Sequence, residues 1–414
     1  MKSVSMKGFY SLTPVDEALD TLLGMIRPIG SESMGIRQAL GRALATDLRP
    51  ERDIPAFDRA AMDGYALRGE ETYGASDSNP VTFKVIGEVT AGEAVGPPVK
   101  KGEAVRISTG APVPKGADAV VMLEYTRAGD GTMEVLRSLP PGKNVSSRGE
   151  DAKRGELLLS RGSILRPQDI AILAAMGMKE VEVSRKPMMG IISTGNELVD
   201  PGEELSGGQI YDSNSYSLSA LVEMNGGTPV RMEMLRDDPT VLKEALKNVP
   251  EYDAVVLSGA TSVGEKDHIP MVVREMGEIV VHGVAMRPGK PVGFGFVSGR
   301  PVFMLPGSPV AAMFAFEVFA RPAMQRMMGV EPKSPYPPVR AVLGRKIPSE
   351  LGRRDFVRVK LLQKDKLYAE PLSTSGAGVI STMVKADGFV IVPENVEGVQ
   401  EGEEAVVYLY SFHL

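Results

Sequence analysis

The sequence predicts a multidomain α/β and β protein: a central doubly wound parallel α/β domain, a β-rich lobe, a mixed α+β linker domain and a small C-terminal β-barrel. Three observations carry this. At 414 residues the chain exceeds the size at which one hydrophobic core stops growing. From residue 186 apolar strand-like segments alternate with amphipathic helical ones, the pattern of βαβ units in a parallel sheet covered on both faces. Between 59 and 141, and again after 331, short alternating stretches are punctuated by Gly and Pro, as in small β domains.

Taken in order, residues 1–27 hold VDEALDTLLGMI, whose spacing predicts a helix associated with the α/β domain. Beyond Pro28 and Gly30, MGIRQALGRALA has the same spacing and predicts a second helix. Residues 28–58 together with 142–185 form the mixed linker domain, with turn-forming GEDAKRGE, strand-like ELLLSRGSIL and a helix opening near Pro167. The lobe, 59–141, offers VTFKVIGEV, EAVRIS and DAVVMLEYT as strands. The α/β domain, 186–330, runs MMGIIS then SYSLSALVEMNGG, PVRMEML then DPTVLKEALKN, DAVVLS, and PVFMLPG then SPVAAMFAFEVFARPAMQRMMG. A Pro-rich linker follows, and the 331–414 barrel is read from RAVLGRKI, DFVRVKLLQ, KLYAEPL and EAVVYLYSF.

Composition excludes several chemistries. There is no cysteine, which removes thiolate zinc, iron–sulfur clusters and cysteine nucleophiles. Three histidines, His268, His282 and His413, argue against a histidine metal cage or a Ser-His-Asp arrangement. A net charge of −6 argues against general nucleic-acid binding. No run approaches the roughly 18 apolar residues of a membrane span, and the N-terminal residues lack a signal-peptide core, so a cytoplasmic location is expected. Carboxylates, basic side chains, hydroxyls and backbone groups are left to do the chemistry.

Three loops follow strands of the α/β domain: ISTGNEL, SGATSVGEKDH and LPGSP. Open parallel sheets bind ligands at the carboxyl ends of their strands, so these loops should converge on one crevice. In LPGSP, Ser308 suits an N-cap, Pro309 the first helical position, and Gly307 admits a ligand to the backbone. Such a helix start attracts an oxyanion, but it is also how an ordinary helix begins. MRPGKP sets Arg287 and Lys290 on a turn fixed by Pro288, Gly289 and Pro291, either as anion-binding cations or as plain surface charge. In SGATSVGEKDH, Gly259 and Gly264 free the backbone while Ser258, Thr261 and Ser262 stand beside Glu265 and Asp267, a composition able to cradle phosphate and hold Mg²⁺. Glu197 of STGNEL and Asp237 and Asp238 of RDDP can add carboxylates to that rim, although RDDP also reads as an N-cap before Pro239. In the lobe, Asp58, Asp63 and Thr109 sit in glycine-bearing turns, and Asp63-Gly64 reads as a hairpin turn.

Read together, MDGYAL, STGAPVPKGADAVVM, RGED, STGNE, GQIYDSN, RDDP, SVGEKD, RPGKP and LPGSPV occur in an order and spacing that resembles the molybdopterin molybdenumtransferase family, the MoeA proteins and the gephyrin E domain. The resemblance spans nearly the whole chain. It implies an elongated homodimer with a composite active site, a MogA-like α/β domain, and a molybdopterin adenylyltransferase as the upstream partner. It also implies the reaction: adenylylated molybdopterin and molybdate in, AMP and molybdenum cofactor out. By motif, Asp237 and Asp267 would hold Mg²⁺ at the adenylate, with Glu197 in support and Ser258, Gly259, Ser262 and Gly264 around the phosphate. Arg287, Lys290, Pro291, Pro306, Gly307, Ser308, Pro309 and Arg358 would surround the oxyanion. Asp63 and Thr109 would come from the other subunit's lobe, and Asp151 of RGED is a further catalytic carboxylate. The chain departs from the family at Ala260-Thr261, where glycine and valine are usual, and at Ser308, where asparagine is common. It departs again at Gly376-Ala377-Gly378, where Gln-Gly-Ser is the tendency, so Lys290 and Arg358 carry more of the anion. A non-catalytic scaffold of the same fold and a tungstate-inserting variant are the alternative readings.

Overall fold

A computed structural model describes residues 12–259, 268–372 and 378–410. The chain forms two compact units, one taking in the N-terminal segment to Ser33, Gly41–Ala45 and everything from Glu182 onward, the other Met34–Leu40 and Thr46–Val181.

The first unit is organised by a six-stranded sheet in the order Thr228–Arg231, Met188–Ser193, Ala254–Gly259, Arg300–Pro306, Gly293–Val297, Gly277–His282. The first four strands are parallel. Side chains alternate between two apolar layers, as a sheet buried on both faces requires. Ile192, Val255, Leu257, Val302 and Met304 meet helices Pro239–Leu246 and His268–Met276 on one side. Met189, Ile191, Val256, Phe303 and Leu305 meet helices Val15–Met25, Asn214–Met224 and the helical run that starts at Pro309 on the other. Burial of each large side chain contributes roughly 1.5–3 kcal/mol before entropy is counted. The doubly wound sheet expected from the sequence is therefore present, with one addition. Gly293–Val297 runs antiparallel to both neighbours, because Ser298 (φ 51°) and Gly299 (φ 74°) form a tight reversal into Arg300–Pro306.

A barrel follows in the same unit. Strands Arg354–Gln363, Leu367–Pro371, Pro338–Leu343, Glu404–Leu409 and Gly388–Val392 pair in that order, and the last pairs back onto the first, closing a five-stranded barrel. Val357 and Val359 point into its core with Ala341, Leu343, Val390 and Val407. Strand alternation then puts Phe356 and Arg358 on the opposite face, where Phe356 joins the core of the α/β domain.

The second unit contains a six-stranded sheet in the order Ala119–Met122, Gly64–Leu67, Glu103–Ile107, Val81–Val89, Thr132–Val135, Thr126–Ala128, and the helix expected near Pro167, which spans Pro167–Ala175. Three expectations need correction. MGIRQALGRALA is not a helix: Ser31–Gly35 is a strand, turns follow, Gly41 adopts φ 75°, and Leu44 bridges to Val183. Two glycines in seven residues leave too little helical propensity to compete with those backbone pairings. ELLLSRGSIL forms no strand: it is reduced to isolated bridges, Leu159 with Leu48 and another at Ile164. Asp63-Gly64 is not a hairpin turn either. Gly64 opens a strand paired on both sides, where an added Cβ would lie 1.8 Å from the Val121 carbonyl oxygen. Among the described residues no helix is long and apolar enough to cross a membrane.

Candidate functional site

The strand Arg300–Pro306 ends in Gly307 and Ser308 and passes straight into a helix at Pro309. Ser308 occupies the N-cap with extended backbone, but its side chain makes no capping bond, so its hydroxyl stays available. Gly307 passes so close to the neighbouring strand that a Cβ would sit 3.3 Å from the Gly259 carbonyl oxygen. This turn is the wall between two cavities. Pro306 and Ser308 line one, and Gly307 and Pro309 line the other.

The first cavity, about 470 Å³, is cationic: Arg287, Lys290, Arg353 and Arg358 line it together with Ser308 and Glu350. Its turn is built by register. Met286–Arg287 forms a short parallel pair with Arg354–Asp355 of the barrel, and Gly289 at φ 117° lets the chain reverse. Arg287 Nη2 lies 2.9 Å from Asp355 Oδ2, and Arg353 Nε lies 2.9 Å from Asp355 Oδ1. Asp355 is fully buried. The guanidinium of Arg287 is thus partly committed to a carboxylate while it lines the cavity. Lys290 is exposed and has no hydrogen bond or ion pair from its side chain among the described residues. Arg358 is buried, and burial, aided by the charge of Arg287, lowers its pKa from the usual guanidinium value; it remains a cation.

The second cavity, about 300 Å³, is lined by oxygen-rich side chains. Asn214 Nδ2 donates to Ser258 Oγ and to the Gly307 carbonyl, both at 2.8 Å, and so ties two strand ends together. Asp212 Oδ1 accepts from Ser193 Oγ and the Ser215 amide at 3.0 Å. Thr194 Oγ1, Asp212 Oδ2 and Asn214 Oδ1 are buried without a hydrogen bond. Gly259 is needed where it stands, since a Cβ there would lie 2.1 Å from Thr194 Oγ1. RDDP divides its work. Asp238 caps the helix by accepting from the Thr240 and Val241 amides at 2.7 and 3.3 Å, bonds that hold its carboxyl below the usual range, while Asp237 lines the cavity. Glu197 lines it too, its carboxylate folded over Gly195.

Of the residues singled out from the sequence, Glu197, Asp237, Ser258, Gly259, Gly307 and Pro309 thus gather in one cavity, and Arg287, Lys290, Pro291, Pro306, Ser308 and Arg358 in the other. Thr261, Ser262, Gly264, Glu265 and Asp267, with Ala260, Gly376 and Ala377, lie outside the described residues. Among the described residues no group of three or more acidic or histidine side chains is suited to a metal. In the second unit, Asp63 Oδ1 accepts from both the amide (2.7 Å) and the hydroxyl (2.9 Å) of Thr109, and these bonds hold its carboxyl below the usual range. Asp151 is exposed, its amide donating to the Ile54 carbonyl. Asp58 braces a turn by accepting from the Arg148 amide. Sequence reasoning missed Ser193, Thr194, Asp212, Asn214, Arg353 and Asp355. The signal for two of them was present, because GQIYDSN sets an Asp-Ser-Asn run at the start of a helix.

The fold and the paired cavities define a multidomain protein whose α/β domain carries, at its strand ends, a cationic cavity beside an oxygen-lined one. The comparisons name the family. Residues 13–177 match the MoeA N-terminal region (domain I and II), residues 190–326 a probable molybdopterin binding domain, and residues 340–410 the MoeA C-terminal region (domain IV). The molybdopterin molybdenumtransferase of Bacillus subtilis is 35% identical over 407 residues, 96% of this chain and 94% of that protein. Molybdopterin molybdenumtransferase 2 of Mycobacterium tuberculosis is 36% identical over 408 residues, 95% and 98% of the two chains. A crystal structure of the molybdopterin biosynthesis MoeA protein of Pyrococcus horikoshii superposes with a TM-score of 0.84 at 40% identity, covering 97% of this chain and all of the other. The chain belongs to the MoeA family of molybdopterin molybdenumtransferases.

Proposed function

We propose that this chain is a molybdopterin molybdenumtransferase that takes adenylylated molybdopterin and molybdate, hydrolyses the adenylate, and releases AMP and molybdenum cofactor. The observation that carries this reading is the wall at 306–309, which sets a cationic cavity against an oxygen-lined one. Molybdate, a compact dianion, suits Lys290, Arg358 and the hydroxyl of Ser308. The adenylate suits the neighbouring side, where the strand-end turns leave room for a phosphate.

Asp237 and Glu197 bring carboxylate oxygens, the donor type that Mg²⁺ takes, to the cavity that Thr194 and Asp212 also line. Asp237 would hold the ion together with Asp267, Glu197 supporting them. Bound there, Mg²⁺ would neutralise the phosphate and polarise it for attack by water, so no histidine base is needed. The dithiolene sulfurs that receive molybdenum belong to the substrate, in keeping with a chain that has no cysteine.

The reading extends to a homodimer in which Asp63 and Thr109 from the second copy complete each site. It places the protein in the cytoplasm, downstream of a molybdopterin adenylyltransferase. Purified protein given adenylylated molybdopterin, Mg²⁺ and molybdate should release AMP. Absence of release at every molybdate concentration would overturn the proposal.

A further inference from the structure

We infer that Asp355 is a positioning residue that sets the charge of the oxyanion cavity, holding molybdate loosely enough to be passed on. The inference rests on the reading that this cavity takes molybdate. Asp355 is fully buried, and a buried carboxylate is tolerated only when paired. Its two partners come from different elements: Arg287 from the turn of the α/β domain and Arg353 from the segment entering the barrel. The pairing of Arg287 with Asp355, and the 2.8 Å bond from the Arg354 amide to the Ala285 carbonyl, hold the turn and the barrel in one register. Asp355 therefore fixes where two of the cavity's guanidiniums stand.

It also fixes how much charge they offer. Arg287, Lys290, Arg353 and Arg358 bring four positive charges, against two negative ones from Asp355 and from Glu350, which sits 2.8 Å from Arg353. The balance of plus two neutralises the charge of one tetrahedral dianion. Without Asp355 it would be plus three. A cargo site gains nothing from a tighter ground-state complex, because stronger holding of the free anion raises the barrier to its transfer.

The test is molybdate binding by calorimetry on the intact protein over a range of salt concentrations, alongside AMP release. Asp355→Asn should bind molybdate roughly ten-fold more tightly, with a steeper salt dependence and slower AMP release at saturating molybdate. Asp355→Glu should return all three towards wild type. Weaker binding with the wild-type salt dependence would make Asp355 a structural brace only and overturn the inference. If Asp355→Asn does not fold, Glu350→Gln decides, since Glu350 is exposed and its loss also adds one unit of charge. Tightening of roughly three-fold with a steeper salt dependence supports the inference, and no change in either overturns it. Wild-type protein that binds no molybdate overturns the oxyanion reading and this inference together, whereas wild-type binding with unaltered variants overturns this inference alone.

Discussion

In the unit that holds the α/β domain and barrel, Asp212, Asn214 and Asp355 are buried and braced from elsewhere in the chain, Asp212 by Ser193, Asn214 by Ser258 and Asp355 by Arg287, with Arg353 two residues away as a second partner of Asp355. In the β-rich lobe, Asp63 and Thr109 are exposed and hold one another. Both bonds go to Asp63 Oδ1, and Oδ2 accepts none among the described residues. The difference teaches that the first unit braces its cavity side chains from within its own fold, while the lobe's exposed pair is held only by itself. A second copy of the chain is the partner proposed for it above.

The contrast is tested most severely at Asp237. Asp237→Asn should cut AMP release by roughly 10²–10³-fold while molybdate binding survives, because the carboxylate belongs to the other side of the wall. Equal loss of both would mean that the two cavities do not act separately. Mixing Asp237→Asn chains with Asp63→Ala chains is the next largest effect. If the lobe serves a second copy, randomly exchanged dimers should recover about a quarter of wild-type activity, since half are mixed and each of those has one intact site. Recovery of nothing would confine Asp63 to its own chain. Lys290→Met should then raise the molybdate concentration needed for half-maximal AMP release by roughly ten-fold and leave AMP binding unchanged.

The same contrast explains what the sequence made legible. Strand-end loops are contiguous, so LPGSP, RPGKP and RDDP could be read as local chemistry, and apolar runs on a two-face sheet are unmistakable in MMGIIS and PVFMLP. Their division into two cavities depends on which side of one turn each side chain falls, and the order of the strands decides that. Asp355 was invisible for a related reason. It reads as one charge among several in GRRDFVR, and only the pairing of residue 287 with residue 355 makes it the partner of Arg287. The antiparallel strand was missed because glycines interrupt GFGFV, one of them where a Cβ would lie 2.0 Å from the Glu278 carbonyl oxygen. The false helix over MGIRQALGRALA shows the reverse error, a periodicity overridden by glycine and by distant backbone partners.

The smallest effect concerns the proton on Asp63. Its carboxyl lies below the ordinary value of about 3.9, first because the Thr109 amide donates to it and second because the Thr109 hydroxyl does. A depressed native value means that the bonds stabilise the lobe fully above the unfolded value and lose their effect as pH falls through the native one. Between pH 5 and 8 nothing should change, so any activity loss there in a Thr109 variant would come from the lost hydroxyl and not from titration. Thr109→Val removes the second cause and keeps the first. Its Asp63 midpoint, followed by carboxylate carbon shifts in NMR, should therefore rise only part of the way to the ordinary value. A midpoint that does not move would show the hydroxyl to be idle. A full return would mean that the amide bond had gone with it.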